Sequence, residues 1–222
     1  MTLIAVPTLS TVPVDFMYSL LNLLATSGSK CKLWCEQNSL VTAARNSLCL
    51  RAIEGGYDTI LFIDSDMKFD GDALNRCLQT MEEQNADLVS GLFFMRKLPT
   101  VPTIAREIIY RTEGEAIHSE AKYYLDYPHD AVFPIAGTGM AFTLIKVDLV
   151  KRVIDEFHVP PFHMFPLLGE DYSFCLRAGK LGAKLVCDSR VKIGHIGTYV
   201  YDEQTYLGQK GNLNEKEEET VT

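Results

Sequence analysis

The stretch "DTILFIDSDMKF", residues 58–69, decides the fold. Its apolar run through Ile60–Ile63 is continuous rather than alternating, the pattern of a parallel strand covered on both faces. The run stops at Asp64-Ser65-Asp66, two carboxylates one residue apart. In an open α/β sheet, ligands collect outside the carboxyl ends of the strands. Residues two apart in extended backbone point the same way, about 6.6 Å apart at Cα. Both carboxylates are therefore expected to reach one hard cation, Mg²⁺ or Mn²⁺, whose shell is completed by substrate phosphates. The tripeptide alone is equally compatible with one aspartate capping the next turn.

Outward from this strand, strand-like and helix-like segments alternate. "TLIAVPTL" and "KCKLWCEQ" read as strands. "DFMYSLLNLLATSG" reads as a helix with Phe16, Met17, Leu20, Leu21 and Leu24 as its apolar positions. "VTAARNSLCLRAIEGG" is a helix closed by Gly55-Gly56. "GDALNRCLQTMEEQN" predicts a third helix and "ADLVSGLFF" a fourth strand. Such repetition implies a parallel sheet with right-handed crossovers. After residue 97 the regularity fails, and residues 98–134 mix short β-prone runs with prolines. "AVFPIAGTGMAFTLIKVDLVKRVIDEF" then predicts strand, turn, strand and helix, and "YSFCLRAGKLG" a short helix. "AKLVCDS" and "VKIGHIG" close the body, and a polar, acidic tail from 208 to 222 is expected to be flexible. One domain is expected.

The 222 residues are 47% hydrophobic and 23% charged, a globular composition. A net charge of −8 argues against nucleic acid as a partner. Neither a signal peptide nor a membrane span is expected, since no apolar run approaches the required length. Cys31 and Cys35 share a strand at about 13 Å, beyond the ~7 Å a disulfide tolerates. No cysteine–histidine cluster has zinc spacing. A cytoplasmic, reducing setting with the thiols as packing residues is the expectation.

Two further constellations carry chemistry. Glu170 and Asp171 sit at the start of the short helix. Acidic residues favour helix starts on capping grounds alone, worth about 1 kcal/mol; a carboxylate held there also suits a general base. His195 lies between two glycines, and its neutral imidazole is a good partner for Mn²⁺, though a lone histidine more often packs or faces solvent. The aromatics Tyr123, Tyr124, Tyr127, Phe162 and Phe165 are open to two readings, carbohydrate stacking or ordinary packing.

In order along residues 3–200, "LIAVPT", "AARNSLCLRAIEGG", "LFIDSDMKF", "AGTGMAFTLIKVDLV" and "GEDYSFCLRAGKLGAKLVCDSRVKIGH" resemble a GT-A glycosyltransferase. The resemblance implies a single-domain α/β fold, a mixed, mostly parallel sheet flanked by helices. It spans residues 1–207, with 1–97 binding the nucleotide sugar and 98–207 serving acceptor and catalysis. It implies a hexosyltransferase-like enzyme that moves a sugar from a nucleotide-diphosphate donor to a carbohydrate or other hydroxyl acceptor. Asp64, Asp66 and His195 would hold Mn²⁺ or Mg²⁺. Pro7, Thr8, Arg45, Asp64, Ser65 and Asp66 would bind the nucleotide sugar. Gly137, Thr138, Gly139 and Met140 would face the acceptor. Asp171 would be the base of an inverting displacement, with Glu170 its less favoured neighbour. The second strand departs from the pattern, ending in "CEQNS" without an acidic turn, which leaves Gln37 or Asn38 as stand-ins near the base.

A haloacid-dehalogenase-like phosphatase also places D-x-D after an apolar strand, but Met67-Lys68 follows here. A sugar-phosphate nucleotidyltransferase would need a glycine-rich loop that "VPTLSTVPVD" lacks. A non-catalytic nucleotide-sugar-binding module of the same fold is the remaining alternative.

Overall fold

The computed structural model describes residues 1–209 except 115 and 198. The expected acidic tail therefore lies, from residue 210, outside the described residues.

The elements run β1 (Thr2–Thr8), α1 (Val14–Ser27), β2 (Cys31–Gln37), α2 (Val41–Glu54), β3 (Thr59–Ile63), β4 (Met67–Lys68), α3 (Ala73–Glu83), β5 (Leu88–Leu92). After them come β6 (Ala105–Glu113), β7 (Ala116–Tyr123), β8 (Val132–Pro134), β9 (Phe142–Lys146), α4 (Val147–Phe157), α5 (Glu170–Lys180), β10 (Leu185–Lys192), β11 (Gly194–Ile196) and β12 (Val200–Tyr201). A helical segment at 203–209 follows, so the body continues two residues past the expected boundary at 207.

The central sheet has seven strands in the order β2-β1-β3-β9-β5-β10-β8. Five run one way; β9 and β8 are reversed, so the sheet is mixed and mostly parallel. Every residue of β3 is buried, as its unbroken apolar run requires. Ile60 and Phe62 pack into one core layer, Leu61 and Ile63 into the other. The first layer gathers α2, α4 and α5; the second gathers α1 and α3.

Two expectations need correction. In α1 the buried positions are Phe16, Ser19, Leu23 and Ser27, while Met17 and Leu21 are exposed. On its buried face the Ser19 hydroxyl accepts a hydrogen bond from Phe69 N. The irregular stretch after residue 97 contains a long hairpin, β6·β7, outside the main sheet. Of the six free cysteines, five are buried packing residues and Cys35 is exposed. Among the described residues no helix is long and apolar enough to cross a membrane.

Candidate active site

The tip of β3 does not continue as extended chain. Met67 N donates to Asp64 O, closing a turn over Ser65 and Asp66. Contrary to the expectation from the sequence, the backbone is therefore not extended across the two carboxylates, and they turn to different partners. Asp64 takes two hydrogen bonds from Arg45 Nη2, at 2.9 and 3.1 Å. Asp66 Oδ2 lies 3.0 Å from Arg96 Nη1 and 3.3 Å from His195 Nε2. Short β4, immediately after the turn, pairs with β11 and sets Met67 opposite His195. That pairing delivers the histidine to a carboxylate 129 residues earlier.

His195 Nδ1 bonds the carbonyl of Phe94 at 2.9 Å. A carbonyl only accepts, so Nδ1 carries the proton, and in the neutral ring the lone pair of Nε2 faces Asp66. Two acceptors 3.3 Å apart require a proton or a cation between them. Burial opposes charge on His195, but its bonds to Asp66 and Phe94 outweigh this, and its pKa is raised. Asp66 is likewise penalised by burial, yet His195 and Arg96 pull its pKa down. Imidazole plus carboxylate, with the far nitrogen pinned by a carbonyl, is a donor pair suited to Mn²⁺ or Mg²⁺. Among the described residues no three His, Cys, Asp or Glu side chains are grouped to hold an ion. Asp64, by contrast, is held by Arg45.

Arg45 sits on the inner face of α2 and is only 4% exposed. Besides Asp64 it bonds Glu170 Oε1, at the start of α5. Its Nε–H has no partner among the described residues. One buried guanidinium therefore ties the β3 tip to the helix that carries the acidic pair. It also lines one of the two cavities that share Asp64. Asp171, next along α5, is pushed up to about 6, first by burial and then by the neighbouring charge of Glu170. The Tyr172 N–H, bonded to Asp171 at 2.7 Å, and the charge of Arg45 work the other way.

Two cavities meet at Asp64. One of about 330 Å³ is lined by Pro7, Thr8, Asn38, Ser65 and Asp66 among others. The other, about 420 Å³, is lined by Arg45, Gly139, Met140, Glu170, Asp171 and His195, with Phe93, Arg96 and Tyr172. A Cβ on Gly139 would come 3.1 Å from the Phe93 ring and 3.5 Å from Asp171 Oδ2, so glycine keeps the space before the carboxylate open. Gly137 and Thr138 lie apart from this cavity. Thr138 is fully buried against Ser90, and Gly137 is packed beneath Ile108, Cys175 and Tyr172. Neither presents a surface to an acceptor.

Tyr127 and Phe162 are core residues, the latter against Phe62 and Phe174, which favours packing over sugar stacking for both. Asn38 Oδ1 is occupied by Leu40 N in a local turn. Arg96 and Tyr172 escaped sequence reasoning. A basic residue just past the buried β5, at a strand's carboxyl end, was the available signal for Arg96.

A helix-flanked sheet with an acidic turn and an acidic helix start opening into adjoining cavities has the architecture of a GT-A glycosyltransferase, and comparison with solved structures agrees. A197 from STIV matches with a TM-score of 0.60 at 17% identity, over 88% of this chain and 85% of that one. GalNAc-T7, crystallised with UDP, GalNAc and Mn²⁺, matches with a TM-score of 0.57 at 9% identity. The match covers 88% of this chain but 43% of GalNAc-T7, so the chain spans less than half of that enzyme. A search of curated proteins returns no match. The chain belongs to glycosyl transferase family group 2, whose sequence profile matches residues 59–209. Glycosyl transfer displaces the phosphatase reading.

Proposed function

We propose that the chain transfers a hexosyl group from a nucleoside-diphosphate donor to a hydroxyl acceptor, inverting the anomeric carbon, with Asp171 as base. The observation that carries this reading is Asp171 itself. It is a half-buried carboxylate whose proton affinity is raised toward neutrality, in a cavity that joins the acidic turn at Asp64. A base is most effective when its pKa lies near the working pH and it is still ionised. The acceptor oxygen attacks the anomeric carbon as the bond from that carbon to the diphosphate oxygen breaks. The hydroxyl proton passes to Asp171, and the nucleoside diphosphate departs. Pro7, Thr8 and Ser65 wall the cavity that suits the nucleoside. Arg45 fixes Asp64 and Glu170 rather than the phosphates. Gly139 and Met140 border the acceptor's approach.

Asp66 and His195 would hold a divalent ion, Mn²⁺ or Mg²⁺. When bound, such an ion offsets charge on the departing diphosphate. The Mn²⁺ of the GalNAc-T7 crystal supports this choice. A cytoplasmic setting belongs to the same reading and rests on the cysteine spacing.

The test is a panel of nucleotide sugars incubated with the protein and Mn²⁺, Mg²⁺ or chelator, with released nucleoside diphosphate as the readout. Release is expected with metal alone, and Asp66→Ala and His195→Ala should each lower it by about two orders of magnitude. Full release in chelator would overturn the metal assignment. Tight donor binding with neither hydrolysis nor transfer to any acceptor would favour the binding module.

A further inference from the structure

The two edges of the central sheet are built differently. The β8 edge is three residues long and ends in a proline, a usual way to blunt an edge against pairing. The β2 edge is neither short nor closed by a proline, and its only charged residues are Lys32 and Glu36. Its seven residues pair with β1 in unbroken parallel register, Thr2 opposite Cys31 through to Thr8 opposite Gln37. No other described strand pairs with it. Lys32, Leu33, Trp34 and Cys35 are all exposed. Helix α2 covers one face of β2, where the Arg51 guanidinium stacks 3.4 Å from the centre of the Trp34 ring. On the other face Cys31 joins the core under α1, while Leu33 and Cys35 are exposed.

We infer that this edge is a homodimer interface, in which β2 pairs antiparallel with β2 of a second copy about a two-fold axis at Trp34. The sequence of the strand selects this occupant, because its charges complement themselves. With the axis at Trp34, Lys32 lies opposite Glu36 of the second copy, Leu33 opposite its Cys35, and Trp34 opposite its own counterpart. Symmetry repeats each pair, as a two-fold interface demands. Within Cys31–Gln37 no other register sets a positive residue opposite a negative one. Opposite charges directly across an antiparallel pair stabilise it, and like charges oppose it. Lys32 forms no ion pair among the described residues, and Glu36 contacts only the indole N–H of Trp34, at 3.3 Å. Pairing would also satisfy the open row of backbone donors and acceptors, joining the two sheets into one.

The full chain in size-exclusion chromatography with light scattering tests this. Wild type is expected at twice the monomer mass. Lys32→Glu and Glu36→Lys should each raise the dissociation constant by about tenfold or more, since each sets like charges across both pairs. Mixing the two variants should restore a dimer of one of each, because every cross-strand pair is then again of opposite charge. That recovery also proves that both variants fold. A monomeric wild type, a dimer indifferent to either reversal, or variants that fail to recover on mixing would each overturn the inference. A monomer that instead captures an added extended peptide along β2 would do the same.

Discussion

Asp171→Asn is expected to cut transfer about a thousandfold and at the same time to make the protein harder to unfold above pH 7. A positioned general base contributes roughly 10²–10⁴ in rate, and asparagine cannot accept the acceptor's proton. Donor affinity should hardly change, because the walls of the other cavity are untouched. In wild type, kcat should fall as pH drops through about 6, where Asp171 takes up its proton; the residual rate of the variant should lack that limb. The stability effect follows from the same shift. Folding raises this carboxyl from its ordinary 3.8 to about 6, so the native state holds the proton more tightly than the unfolded chain. The associated stability is complete below about pH 3.8 and is lost as pH rises through about 6. The gap corresponds to an upper bound on the order of 3 kcal/mol above that window. Asparagine removes this penalty and keeps an oxygen for the Tyr172 N–H. Melting curves at pH 8 should show a gain of several degrees, shrinking to nothing near pH 4. Equal melting temperatures at pH 8, or transfer that survives, would remove Asp171 from the role of base.

The elements that were legible have local signals. The continuous β3 run, the Gly55-Gly56 stop after α2 and the acidic start of α5 each depend on a few neighbouring residues. What the sequence hid depends on distant partners. Met17 and Leu21 are apolar positions of α1, but the face that packs carries Phe16, Ser19 and Leu23, with Ser19 bonded to the chain at Phe69. The β6·β7 hairpin lies outside the main sheet and is largely solvent-facing, so no strong apolar alternation announces it. In the candidate site, Asp64, Asp66, Asp171 and His195 stand out in the sequence by type and order. Their grouping does not, because the turn at Ser65 separates the carboxylates and Arg45 recruits Asp64 and Glu170 from 19 and 125 residues away. An arginine on an otherwise apolar helix face, with Ala44, Leu48, Cys49 and Ala52, is the mark it leaves in the sequence.

Arg45→Met should prove the most damaging single substitution at the site. The guanidinium side chain is 5% exposed and bonds carboxylates that are themselves 29% and 16% exposed. Methionine fills similar space but leaves Asp64 and Glu170 half-buried, close together and unpaired. Removing one partner of a buried ion network costs roughly 3–5 kcal/mol, far more than the network's net worth. Urea unfolding at pH 7 should show a loss of that order, and the loss should narrow in acid as the stranded carboxylates protonate. Arg45→Lys keeps the charge but not the fork that spans two carboxylates, so an intermediate loss is expected. Adding Glu170→Gln to Arg45→Met should recover part of the stability, since one uncompensated charge is gone. Catalysis reports on the same network independently. Arg45 is among the groups that hold the Asp171 pKa down, so in Arg45→Lys, which leaves a weaker and less fixed charge, the acid limb of kcat should move above about 6. A variant that unfolds like wild type at pH 7, with its pH profile unmoved, would mean that the two carboxylates find water or each other instead, and that Arg45 does not organise the site.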